Sequence, residues 1–298
     1  METVLSINRL SKRYGKIQAV KELSIEVKKG QVFGILGPNG SGKTTTLSII
    51  LDLLKADDGE FKWFGEIPTK ECRKRIGSVI ESPNFFPYLT PVQNLKIVAD
   101  IKDMDYGDIE RVLTLTGLFE RRNSKFKTYS FGMKQRLAIA SALLGSPEVL
   151  ILDEPTNGLD PQGIAQIREL ILQVAAQGIT IIIASHLLDE VQKICSHVAV
   201  LDKGKRLFSG EVKDVLAISD SFELSSSDMT GLEKAILQHP MYRSSEKNGN
   251  LLQVYFKGEI NPGELNEFLH KNGILLNHLA ERKRSLEQHF LELLQNNT

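Results

Sequence analysis

Residues 37–44 read Gly37-Pro38-Asn39-Gly40-Ser41-Gly42-Lys43-Thr44, a G-x-x-x-x-G-K-[ST] pattern between the apolar run at 32–36 and a helical run at 44–54. A strand, a glycine-rich loop and a helix in that order form a cradle for phosphate. The glycines let the main chain wrap closely around phosphate oxygens, with several N–H groups pointing inward. The helix N-terminus adds a favourable dipole. Lys43 would bring a point charge to the β and γ phosphates of a nucleotide, and the Thr44 hydroxyl would ligate Mg²⁺. The binding set extends to the adjoining Thr45. The competing reading is an ordinary glycine-rich turn, and the flanking strand and helix weigh against it.

Further apolar runs at 149–152, 179–184 and 198–201 alternate with helical patterns such as 162–177, which Gly178 would close. Such near-continuous apolar runs suit parallel strands covered on both faces, so a three-layer α/β domain is expected. A more helical stretch, about 89–144, interrupts it as an α-helical subdomain. Asp153 and Glu154 end the 149–152 run, Asp153 lying 110 residues after Lys43. That is the carboxyl edge, where open α/β sheets bind ligands. Asp153 would hold Mg²⁺ through water, and Glu154 would orient and deprotonate an attacking water. Two surface acids at a strand end are the bland alternative, weakened by the phosphate loop upstream. GTPases typically position that water with Gln instead.

Lys plus Arg number 37 and Asp plus Glu number 37, a zero formal charge that argues against a nucleic-acid tail or a polybasic membrane patch. No run approaches the roughly 18 apolar residues of a spanning helix, and the N-terminus lacks a secretory apolar core. Cys72 and Cys195 are far apart and in no metal spacing, which fits a reducing cytosol. After residue 218 the texture changes. Residues 219–228 read as a Ser-rich junction, and the remainder suggests strand, helix, two strands, helix, strand, helix. Thr230 with Glu233, Ser285 with Gln288, and Asn261 before Pro262 mark helix starts. Leu286, Phe290, Leu293 and Leu294 would form one face of the last helix. The expected division is 1–218 and 219–298, the second a small C-terminal α+β domain. His239, His270, His278 and His289 are spaced by 31, 8 and 11 residues, too far apart for a short ligand pair, so no metal site is expected there.

Beyond the loop and the acid pair, ordered motifs over about residues 2–218 resemble the ATP-binding cassette proteins, the motor subunits of ABC transporters. The resemblance implies a P-loop NTPase core with an antiparallel β subdomain, ATP and Mg²⁺ as ligands, and hydrolysis coupled to transport. Tyr14 matches the aromatic residue on which adenine stacks. Ser130-Phe131-Gly132-Met133-Lys134-Gln135-Arg136 resembles the signature motif, which in that family binds ATP held by the opposite subunit. Ser130 is equally a plain N-cap for the helix carrying Met133, Leu137, Ala140 and Leu144. Asn157-Gly158-Leu159-Asp160 corresponds to the loop crossing the dimer interface, although Asp160 before Pro161 is also an N-cap pair. His186, 32 residues after Glu154, matches the switch histidine that contacts the γ-phosphate. The implied catalytic set is Glu154, His186 and Lys43, and the implied metal set is Thr44, Glu81 and Asp153.

Two positions depart from the family pattern. Glu81 stands where the family usually has Gln, and Phe131 where the signature usually has Gly; Gly132 keeps the close-approach position. A carboxylate at 81 would still ligate Mg²⁺, but would repel the γ-phosphate without it. Glu81 and the 129–134 string resemble a subgroup serving bacitracin and lantibiotic export or immunity, and 285–294 resembles the ending of drug-exporter cassettes. The resemblance implies an integral membrane permease as partner and a head-to-tail dimer with an identical or paired cassette. It implies no nucleic acid, and a cytoplasmic place on the inner face of the membrane. Phe85-Phe86-Pro87-Tyr88 reads either as a docking surface for an amphipathic permease helix or as packing under the helical subdomain. A lipid or cell-wall cargo is the alternative within transport. A translation-associated cassette would carry two phosphate loops, and a chromosome-type ATPase a long coiled coil; neither pattern occurs here.

Overall fold

The computed structural model describes residues 2–81, 84–213, 221–258 and 260–282. The chain divides into two compact units, Met1–Gly210 and Glu211–Thr298. The first unit contains β1 (Thr3–Tyr14), β2 (Ile17–Lys28), β3 (Val32–Leu36), α1 (Lys43–Ile50), β4 (Asp58–Trp63), α2 (Lys70–Lys74) and β5 (Ile76–Val79). It continues with α3 (Pro91–Lys102), α4 (Ile109–Leu115), α5 (Phe131–Leu143), β6 (Val149–Asp153) and α6 (Pro161–Ala176). Next come β7 (Thr180–Ser185), α7 (Leu188–Ile194), β8 (His197–Asp202) and β9 (Lys205–Glu211), the last running one residue into the second unit.

The apolar runs form the six-stranded sheet β5-β6-β7-β3-β8-β9, with β5 through β8 paired in parallel. Every residue of β3, β6 and β7 is buried, which is why these strands read as continuous apolar runs rather than as alternating ones. A separate antiparallel sheet, β2-β1-β4, carries interleaved buried and exposed positions. Trp63 at the end of β4 is fully buried, and its Nε1 donates to the Ile50 carbonyl at 2.8 Å, fastening the end of α1 to that sheet. Helix α1 stops at Ile50 rather than at 54. The Asp52 and Leu53 N–H groups fold back onto the Ile49 and Ser48 carbonyls, with Asp52 at φ 61°. That left-handed closure outweighs the apolar character of 51–54. The helical subdomain is α3, α4 and α5. Helix α3 opens on a reciprocal capping box between Thr90 and Gln93, with Pro91 in its first turn.

The second unit runs β10 (Ser221–Ser226), α8 (Met229–Leu237), β11 (Tyr242–Asn248), β12 (Leu251–Phe256), α9 (Pro262–Lys271) and β13 (Leu276–Arg282). Its antiparallel sheet has the order β11-β12-β10-β13, a β-α-β-β-α-β unit with the first and third strands adjacent. Phe222, Leu224, Leu232, Ile236, Val254, Leu265 and Leu269 close one core. Two expectations are corrected. Residues 221–226 form an inner strand, not a junction: Phe222 and Leu224 are buried in the core, Glu223 lies between them, and Ser221, Ser225 and Ser226 flank the pair. Helix α8 is capped by Asp228, whose Oδ1 accepts from the Gly231 N–H at 2.9 Å, not by Thr230 with Glu233. Asn261 caps α9 as expected, accepting from the Gly263 N–H at 2.8 Å. The pairing of Ser285 with Gln288, the 286–294 face and His289 lie outside the described residues.

His239 packs edge-on against Phe268 (4.6 Å between centroids) and Phe256 (5.1 Å), and its Nδ1 accepts from the Met241 N–H. Partial burial pushes its pKa below the ordinary value. The folded state therefore favours the neutral ring, and the unfolded chain binds the extra proton first. Stability from this group is full above the unfolded pKa of ~6.5 and is lost as pH falls from there through the folded value. An NMR titration of His239 is expected to give a midpoint below the ~6.5 of a free imidazole, and a midpoint at or above it contradicts the packing described.

Candidate nucleotide-binding site

Three strand ends lie level at one edge of the large sheet. Asp153 at the end of β6 is in register with Ala184 of β7, and Ser185 of β7 with Leu36 of β3. The residues that follow, Glu154, His186 and Gly37, therefore emerge side by side at the carboxyl edge. Gly37 and Gly42 are required there by backbone shape. Gly42 caps α1 at φ 104°, and a Cβ on it would run into the Ala19 carbonyl. A Cβ on Gly37, at φ 155°, would strike the Leu201 carbonyl and the Ser41 side chain. The eight-residue α1 has no side-chain cap, so its first N–H groups are open to an anion.

Lys43 is 5% exposed and bends over its own loop. Its Nζ donates to the Gly37 carbonyl at 2.9 Å and the Pro38 carbonyl at 3.3 Å, and lies 3.3 Å from a Glu154 oxygen. The other Glu154 oxygen is 2.8 Å from His186 Nδ1. Glu154 sits at φ 47°, with its N–H donating to the Ala184 carbonyl at 2.9 Å. A left-handed non-glycine residue is strained, and here the neighbouring strand holds it. Sequence reasoning assigned His186 to the γ-phosphate through resemblance; in this structure the ring meets Glu154. The Thr44 hydroxyl donates to Asp153 Oδ2 at 2.8 Å. Burial raises the Asp153 pKa, the Thr44 bond and Lys43 work against it, and the charges of Glu154 and Glu81 add to the rise.

A cavity of about 410 Å³ brings together Thr44, Glu81, Asp153 and Glu154 with Phe131, Gln135 and Asn157. Two buried oxygens in this region have no hydrogen-bond partner among the described residues, Asp153 Oδ1 beside Thr44 and Ser41 Oγ in the loop. Orphaned acceptors next to an open helix N-terminus fit a bound cation and phosphate. Among the described residues no group of three or more His, Cys, Asp or Glu is placed to hold a metal by itself. A Mg²⁺ ion held by Thr44, Asp153 and Glu81 would thus complete its shell with water and phosphate, as this ion usually does.

A family model described as ABC transporter matches residues 20–157. The chain is 38% identical over 302 residues to the bacitracin transport ATP-binding protein BcrA of Bacillus licheniformis, covering 99% of this chain and 98% of that protein. The chain belongs to the ATP-binding proteins of ABC transporters. Among solved ABC cassettes, cbiO1 from Clostridium perfringens, part of the ABC transporter complex cbiONQ, superposes with a TM-score of 0.66 at 30% identity. It covers 80% of this chain and 97% of that one. A bacterial ABC transporter cassette solved as a dimer, MJ0796, gives 0.62 at 28% identity, covering 70% and 98%.

The remaining ABC motif residues fall in two places. Ser130 Oγ caps α5 by accepting from the Met133 N–H, and Asp160 Oδ1 caps α6 by accepting from the Gly163 N–H at 2.8 Å. Both therefore have local structural roles. They also line a second cavity of about 390 Å³ with Phe131, Gly132 and Arg136. Phe131, which replaces the usual signature glycine, is half-exposed beside Gly158. Tyr14 is half-exposed at the end of β1, paired with Ile17 across the hairpin, and is not among the residues lining the Asp153 cavity. Sequence reasoning singled out Gln135 only as a letter of the signature. It stands between Lys134 and Arg136, so no local pattern marked it; the packing of α5 brings it to the Asp153 cavity.

Proposed function

We propose that this ABC subunit hydrolyses MgATP, closes head-to-tail with a second cassette around two nucleotides, and so drives a separate membrane permease that exports a peptide antibiotic or drug. The observation that carries the hydrolytic reading is Glu154. It is a carboxylate at the strand end, held by His186 and Lys43 beside the Thr44–Asp153 pair. When ATP enters, its phosphates meet the open N–H groups of the loop and α1, and Lys43 exchanges the Gly37 and Pro38 carbonyls for phosphate oxygens. Glu154 accepts a proton from the attacking water. The water oxygen bonds to the γ-phosphorus, and the bond to the ADP oxygen breaks with its electron pair. Mg²⁺ bound at Thr44, Asp153 and Glu81 would neutralise phosphate charge. Closure then rests on differential affinity, because ATP binds the closed pair more tightly than the open one.

Similarity to a bacitracin transport protein over nearly the whole chain, second unit included, supports the cargo reading. Phe86, Tyr88 and Ile101 are exposed beside a cavity of about 350 Å³ lined by Ile80, Phe85, Ile97 and Val98, while Phe85 turns inward onto Phe126 at 5.3 Å. This apolar surface suits an amphipathic permease helix. Ile101→Asp is expected to lower recovery of the permease in affinity purification of the chain from its source membranes by roughly tenfold or more, by leaving a charge unpaired in the contact. Equal recovery with both forms contradicts that docking site. For the function as a whole, the test is Mg²⁺-dependent phosphate release by the chain purified with its permease, stimulated by peptide antibiotic. Nucleotide binding without phosphate release, or purification with ribosomes and no membrane protein, contradicts it.

A further inference from the structure

Three carboxylates line the Asp153 cavity, and two have protein partners. Asp153 takes the Thr44 hydroxyl, and Glu154 takes His186 and Lys43. Among the described residues Glu81 has neither a cation nor a donor, although it sits on the same cavity with its backbone at φ 60°. Gln135 has the complementary deficit. It is 4% exposed, its side chain lines that cavity, and its amide makes no hydrogen bond among the described residues. An amide that borders an open cavity and has no protein partner among the described residues is free to donate to a neighbouring group or to water there. Position 135 lies in the second turn of α5, which begins at the Ser130 cap. The helix carrying the signature thereby brings an amide to the same cavity as Glu81, a carboxylate without a protein partner among the described residues.

We propose that Gln135 is a positioning residue for the metal site: its amide donates to Glu81, directly or through one water, and holds that carboxylate toward the Mg²⁺ of bound nucleotide. This rests on the nucleotide-binding reading above and adds to it a link between the metal loop and the signature helix. The chemistry is that of an outer partner orienting a ligating carboxylate, whose loss typically costs about 10–100-fold in metal affinity. A carboxylate accepts such a bond more strongly than an amide oxygen does, so the link belongs to Glu81 and weakens when position 81 is neutral.

The test is a Mn²⁺ titration by EPR of the full chain saturated with ADP, in wild type, Gln135→Leu, Glu81→Gln and the double variant. Gln135→Leu is expected to weaken Mn²⁺ roughly tenfold with Glu81 present and less than about threefold in the Glu81→Gln background. Equal losses in both backgrounds, which a merely structural role would give, overturn the proposal, as does no loss in either. Gln135→Met repeats the comparison should the leucine variant fail to fold. ADP affinity in EDTA separates the two levels. If wild type binds no ADP, the nucleotide reading falls and takes this one with it. If ADP binds and the Mn²⁺ cycle shows no coupling, only the Gln135–Glu81 link falls.

Discussion

Glu154→Gln slows ATP turnover by roughly 10²–10⁴-fold while nucleotide stays bound. The size follows from what the substitution removes. Gln is nearly isosteric and still fits beside His186 Nδ1, so the strand end and its strained φ of 47° persist. What disappears is a carboxylate able to take a proton from water. Phosphate release under saturating MgATP measures the loss, and a fluorescent-nucleotide titration measures retention. Turnover within about threefold of wild type would take Glu154 out of the general-base role and leave it as a structural partner of His186 and Lys43.

Lys43→Met has its largest effect on binding. The Lys43 ammonium is already desolvated, 5% exposed, and satisfied by the Gly37 and Pro38 carbonyls and Glu154. Phosphate replaces weaker acceptors with charged ones, and charge-assisted bonds contribute about 1.5–3 kcal/mol each. Removing the ammonium is therefore expected to weaken ADP by roughly 10–100-fold in a titration of the purified chain. Affinity within about twofold of wild type would mean that the loop N–H groups hold the phosphates without it. The two variants separate the roles, since one loses turnover and keeps nucleotide while the other loses nucleotide.

The large sheet was legible because burial on both faces leaves an unmistakable pattern: β3, β6 and β7 contain no exposed residue. The loop and the acid pair were legible because phosphate chemistry constrains residue type and spacing together. Where local signals compete, the reading faltered. Serines at 221–226 suggested a junction, yet the alternating Phe222 and Leu224 decide for a strand once the second unit has a core. Thr230 and Glu233 had the right spacing for a cap, but Asp228 reaches the Gly231 N–H from the more extended backbone. The meeting of Glu154 with His186 depends on the register of β6 against β7 across 32 residues of chain, and no local pattern encodes that. Gln135 joined the cavity for the same reason: the packing of α5 against the strand ends is tertiary.

The formal net charge of the chain is zero. Among the described residues no helix is long and apolar enough to cross a bilayer. A cassette that docks onto a separate permease needs neither a net charge nor a spanning helix, which leaves membrane work compatible with this composition. The central claim is that two chains complete each other's nucleotide sites. Sedimentation equilibrium of Glu154→Gln with MgATP and with MgADP tests it most directly. The account predicts a species of twice the 33.3 kDa chain mass with ATP and a single chain with ADP. A protein that binds ATP and stays at 33.3 kDa at every concentration would contradict it.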